Sequence, residues 1–123
     1  MYFEQDWVLR QVEMLVRFIA KTVLKKDTPT YEIGERENFT DGDTLHRRLV
    51  ELIAEGKLCE AEDLLYDRLD SSDSGYLSLA LDFYDRLNRL SDEELEAGNF
   101  SREEISDGVH EIMRRFDIPG LPL

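Results

Sequence analysis

The chain reads as an all-α protein, a compact bundle of five to six helices, and three observations predict this. Helix formers such as Leu, Glu, Arg and Ala dominate, and the runs of Val, Ile and Thr that make strands are missing. Only three prolines occur, two of them among the last five residues, and the seven glycines are spread singly. Apolar residues recur at helical spacing in successive stretches separated by turn signals. With 123 residues the chain fits a single domain with one modest core. The expected division is an amphipathic N-terminal segment over 1–26, a connector over 27–41, a bundle over 42–116 and a tail over 117–123.

The first helix is expected from about Phe3 to Lys25. Glu4, Asp6, Arg10, Glu13, Arg17 and Lys21 trace one polar stripe. Trp7, Val8, Val12, Leu15, Val16, Ile19 and Val23 lie across the other face, and Leu9, Met14 and Phe18 widen it. Acids come first and bases last, as the helix dipole favours. This apolar arc is wider than a helix lying on a small domain needs. The expectation is a helix clasped between its own bundle and a second copy of the chain. A membrane-surface role fits less well, because three acids share the polar stripe and the basic excess is small.

The connector contains Pro29 and Gly34 and has no helical period. It is expected to be a loop packed by Tyr31, Ile33 and Phe39. A second helix follows from about Asp43 to Glu55, with Asp41, Asp43 and Thr44 competing for its N-cap. Leu45, Leu49, Leu52 and Ile53 form its inner stripe, and Gly56 stops it. A third helix, from about Leu58 to Leu69, turns Leu58, Ala61, Leu64, Leu65 and Leu69 inward. So short a turn forces the pair antiparallel, and this hairpin is expected to be the centre of the fold.

The order L-x-x-x-L-x-x-L-I-x-x-G-x-L-x-x-A-x-x-x-L, from Leu45 to Leu65, resembles a tetratricopeptide repeat. Ala61 stands at that family's small-residue position. Leu52 and Leu58 stand where it often has tyrosine, and its repeat-ending proline is absent. The resemblance covers about a fifth of the chain. No clean second copy follows, because a shift of 32 residues sets Glu93 against Ala61. The resemblance thus implies a TPR-like hairpin within a bundle, not a solenoid. The whole chain also resembles short bacterial all-helical proteins of unknown function that open with a similar aromatic and acidic start.

Asp70 to Gly75 reads as a polar turn with Ser or Asp capping a fourth helix, which runs from about Gly75 to Leu90. Its stripe is Leu77, Ala80, Leu81, Tyr84 and Leu87, with Tyr76 and Phe83 off that line. Ser91 with Glu94 and Ser101 with Glu104 are capping boxes. They open a short fifth helix through Ala97 and a sixth to Phe116, with Ile105, Val109, Ile112, Met113 and Phe116 inward. The prolines of the tail end helical structure there.

Charge bounds the function classes. The formal net charge is −13. In residues 1–26 Arg10, Arg17, Lys21, Lys25 and Lys26 outnumber Glu4, Asp6 and Glu13 by two, so the remainder holds −15. Such a body repels phosphate backbones, which makes nucleic acid a poor partner. A single cysteine, Cys59, excludes an internal disulfide and fits a reducing cytoplasm. No signal-like segment or apolar run of about 20 residues is present, so no transmembrane segment is expected.

Chemical signals are sparse. Asp43 with His46, and Asp107 with His110, each set a carboxylate one helical turn from an imidazole. Such pairs on two helices supply di-metal sites in bundles. Here helix capping accounts for Asp43, and both histidines are expected beside the leucine faces, not on them. Cys59 has no histidine in register, and no Gly-rich phosphate loop exists. The expected function is a non-catalytic protein–protein interaction or scaffold module with no cofactor, self-associating through the first helix as a homodimer. Trp7, Leu15, Phe18 and Ile19 are the expected apolar anchors, with Arg10 and Arg17 on the rim. The alternatives are a metal-binding or enzymatic bundle using Asp43/His46 and Asp107/His110, and an acidic nucleic-acid mimic that occupies a basic protein.

Overall fold

The computed structural model describes residues 2–32 and 40–118. Six helices account for most of them: α1 (Tyr2–Thr22), α2 (Asp41–Ala54), α3 (Leu58–Arg68), α4 (Ser74–Asn88), α5 (Asp92–Ala97) and α6 (Arg102–Arg115). No strand occurs among the described residues. The all-α class is therefore as the sequence predicts.

The helix ends follow from local chemistry. The α1 helix stops short of Lys25, which takes a left-handed conformation at φ 60°. The cap of α2 is Thr40, not Asp41, Asp43 or Thr44. Its hydroxyl accepts from the Asp43 amide at 3.2 Å, and the Asp43 carboxylate accepts from the Thr40 amide at 2.9 Å. Asp43 is thus the far half of a capping box. Asp73 caps α4, and the Ser91–Glu94 and Ser101–Glu104 boxes open α5 and α6 as read. Gly56, at φ 77°, ends α2. Lys57 N–H reaches Leu52 O at 2.9 Å and Gly56 N–H reaches Ile53 O at 3.0 Å, the pairing of a Schellman stop.

The packing centre is α4, not the α2–α3 hairpin. Helices α1, α2 and α6 all lie against α4, α1 also packs on α6, and α3 packs on α2. Every residue from Leu77 to Tyr84 is buried, Phe83 included. The hairpin helices instead bury one stripe each: Leu45, Leu49 and Leu52 on α2, and Leu58, Ala61 and Leu65 on α3. A helix with neighbours on several sides must be apolar around most of its girth. The α6 helix comes close enough that the Tyr84 ring fills the space a Cβ would need at Gly108.

Two buried polar residues tie down the C-terminal end of α4. Asn88 Nδ2 donates to Leu9 O in α1 at 3.0 Å. The Arg102 guanidinium donates to Asn88 O at 3.0 Å and Leu90 O at 2.8 Å, with Asp92 at 3.0 Å as its counter-ion. The Arg102 bonds satisfy carbonyls that the end of α4 leaves unpaired. In the connector Tyr31 is packed as expected, whereas Ile33, Phe39 and the tail residues 119–123 lie outside the described residues.

Candidate functional site

The α1 helix has two apolar faces on nearly opposite sides. Val12, Leu15, Val16, Ile19 and Ala20 point into the core. Trp7, Met14 and Phe18 point outward and are 62%, 52% and 44% exposed. At 3.6 residues per turn these three fall within about 40° of one another, so they form one stripe. Among the described residues only Val23 joins them as a large exposed hydrophobic side chain. Asp6, Arg10, Arg17 and Lys21 are exposed along one edge of the stripe, with Glu13 half-buried behind them. The Arg17–Glu13 ion pair on that edge is loose, at 3.9 Å.

Of the four expected anchors, Trp7 and Phe18 are on this outer face and the flanking Arg10 and Arg17 are exposed. Leu15 and Ile19 are core residues, at 8% and 0% exposure, and cannot serve as surface anchors. Met14, not among the four, is exposed on the outer face beside Trp7 and Phe18. Helical phase carried the signal: Leu15 and Ile19 are in phase with Val12 and Val16, whereas Met14 is in phase with Trp7 and Phe18.

Behind the connector lies a buried polar cluster. His46 lies beside the leucine stripe of α2, as expected, yet it is buried. Its Nε2–H donates to Asp82 Oδ1 of α4 at 3.2 Å. The Tyr31 ring stacks on the imidazole at 4.8 Å between centroids. Tyr31 N–H donates to Asp82 Oδ2 at 2.8 Å, and its hydroxyl donates to Asp43 at 2.7 Å. Arg86 adds an ion pair to Asp82, and Lys26 binds Thr30 O and Ser78 Oγ. Burial pushes the Asp82 carboxyl up, but the bonds from His46, Tyr31 and Arg86 outweigh it and hold the group below the usual range. Burial and the bond to Asp43 push the Tyr31 hydroxyl up to about 12. Among the described residues, His46 Nδ1 alone is a buried side-chain polar atom without a hydrogen-bond partner. The cluster works as a clasp holding the connector to α2 and α4.

The second expected pair is elsewhere and differently engaged. His110 is exposed, and its Nδ1–H donates to Ser106 O of its own helix at 2.8 Å. Asp107 is exposed beside it. The two Asp/His pairs are therefore not gathered into one site, and no group of three His, Cys, Asp or Glu ligands occurs among the described residues. Cys59 is exposed, with Sγ near the carbonyls of Gly98 and Asn99. Burial and the nearby Glu104, Glu62 and Asp63 push its thiol up, the wrong direction for a nucleophile. A cleft of about 650 Å³ lies between the connector and the starts of α2 and α4. Two of its carboxylates are taken up locally: Asp73 caps α4 and Asp70 accepts from Ser72.

No described helix is long and apolar enough to cross a membrane. No curated protein and no solved structure matches this chain. A match does run over residues 2–117, from the start of α1 to the end of α6, and by it the chain belongs to a family of unknown function, DUF6483.

Proposed function

We propose that this chain is a non-catalytic helical interaction module that self-associates through the outer face of α1. One observation carries the reading. Trp7, Met14 and Phe18 form a single exposed apolar stripe on a helix whose opposite side already seals the core. Leaving three large side chains in water is unfavourable, at roughly 25 cal/mol per Å² of apolar surface. Stability of the single chain gives no reason for the stripe, whereas covering by a second copy does. The remainder of the chain, at −15, makes nucleic acid a poor partner. A lone exposed cysteine suits a reducing compartment, which favours the cytoplasm. We further read the α2–α3 hairpin as TPR-like packing, in which Ala61 lets the helices approach, and not as a peptide-binding groove.

Light scattering after size exclusion, over a range of concentrations, tests self-association. Wild type is expected to pass from monomer to dimer with concentration. Phe18→Glu is expected to stay monomeric with its unfolding curve unchanged. Wild type that is monomeric at every concentration would remove the proposal.

A further inference from the structure

We infer that two copies pair through α1 in antiparallel fashion, about a two-fold axis crossing the helix near Val12 and Glu13. This rests on the self-association proposed above and adds its orientation and register. Charge selects the occupant first. Each copy carries −13, and residues 1–26 are the segment with a net positive balance. Two such chains meet with least repulsion there.

The edge of the apolar stripe selects the orientation. Asp6, Arg10, Glu13, Arg17 and Lys21 all run along one side of the stripe, while Gln11 and Thr22 border the other. In a parallel pair related by a two-fold axis, unlike edges meet. Among the described residues, the charged edge would then face Gln11 and Thr22 and find no ionic partner. In an antiparallel pair, like edges meet and run in opposite directions. Placing Trp7 over Phe18 of the second copy, and Met14 beside its Gln11, fixes the axis between Val12 and Glu13. With the axis half a residue away, on Val12, Asp6 and Arg17 come within one residue of the same level, as do Arg10 and Glu13, and Trp7 stays within one residue of Phe18. Lys21 comes within reach of Asp6 as well. The apolar stripe and the charged edge therefore choose nearly the same register independently. Every ion pair occurs twice by symmetry, and the contact closes on itself, so it yields dimers and not fibres. One helix pair covers less than the roughly 800 Å² per partner of a standard interface, so the dimer should dissociate on dilution.

Charge reversal on the full chain tests the register. Arg10→Glu alone and Glu13→Arg alone should each weaken the dimer about tenfold or more in sedimentation equilibrium, with helix content by circular dichroism unchanged. The double variant Arg10→Glu/Glu13→Arg should return to within about threefold of wild type. Orientation is read separately in a Cys59→Ser background by mixing Gln11→Cys chains with Met14→Cys chains under mild oxidation. The mixed disulfide should form faster than either homodimeric one. Homodimeric disulfides forming faster, or dimerisation indifferent to both single reversals, would overturn the antiparallel register while leaving self-association standing. A wild type that never dimerises would overturn both, and a ladder of larger species would replace the closed pair with a head-to-tail contact.

Discussion

Phe18 and Ile19 are consecutive residues that face away from each other: the phenyl ring is exposed and the isoleucine is sealed in the core. One helical step of roughly 100° separates them, and on α1 that step crosses from inner face to outer face. Ile19→Ala should lower the unfolding free energy by about 2–5 kcal/mol, since it leaves a cavity in a filled core. Phe18→Ala should change it by no more than about 0.5 kcal/mol in dilute solution. Urea unfolding at low protein concentration checks both. Comparable losses from the two variants would mean that Phe18 packs within its own chain, and the outer face would lose its claim to a partner.

A second expectation concerns Asp82, the acceptor shared by His46, Tyr31 N–H and Arg86. Asp82→Ala strips three donors of their partner at once. It should destabilise the chain by about 3 kcal/mol, as removing one member of a buried ion pair does. Asp82→Asn tests the charge itself. The folded carboxyl sits below its ordinary value of 3.8, so its contribution is complete above that pH and disappears as pH falls through the lowered folded value. The stability gap between wild type and Asp82→Asn should accordingly be constant near neutrality and close below about pH 4. Urea titrations of both proteins across that range measure the gap.

Helix class, helix order and two of the capping boxes were legible in the sequence because they depend on neighbours a few residues apart. The Ser91–Glu94 and Ser101–Glu104 boxes are local in this sense. What was not legible depends on residues far apart in the chain. Asp82 is 36 positions from His46 and 51 from Tyr31, and nothing local marks either partner. His46 is off its helix's leucine stripe, yet it is buried because the Tyr31 ring covers it from the connector. The hub role of α4 was missed for a related reason. Its run from Leu77 to Tyr84 includes Ser78 and Asp82, which break the apolar pattern; Lys26 bonds to Ser78, and His46, Tyr31 and Arg86 bond to Asp82. On α1 helical phase divides the apolar arc into two faces, but which of the two is the inner one required the positions of α4 and α6.

A third expectation follows from the contact between Gly108 and Tyr84. A Cβ at Gly108 would overlap the buried Tyr84 ring, which cannot withdraw without losing its bonds to Glu62 and Tyr66. Gly108→Ala should therefore cost about 1–3 kcal/mol by overpacking, although alanine is the better helix former by about 1 kcal/mol. In a Tyr84→Ala background the clash is gone and only the helix preference remains, so the same change should become neutral or stabilising. A double-mutant cycle by urea unfolding reads the coupling. Additive losses would show that α6 moves aside freely and that Gly108 does not set the α4–α6 approach.

The acid response should carry a second component of opposite sign, from Glu62. Burial pushes its carboxyl above the ordinary value of 4.5, and Glu104 and Asp63 push the same way, while the 2.6 Å bond from Tyr84 Oη pulls it back without cancelling them. A carboxyl with a raised folded pKa costs stability wherever it is ionised in the fold. That cost is complete above the raised value and vanishes as pH falls below 4.5. Glu62→Gln keeps an acceptor for the tyrosine and removes the charge. It should stabilise the chain at pH 7 by no more than about 1 kcal/mol, because solvent screens a half-exposed group. The gain should fade toward pH 4, where the wild-type carboxyl takes up its proton. Urea unfolding of the pair at both pH values decides the matter. A gain that persists in acid would assign the effect to packing, and a loss at pH 7 would mean that the ionised carboxylate is the stronger partner for Tyr84.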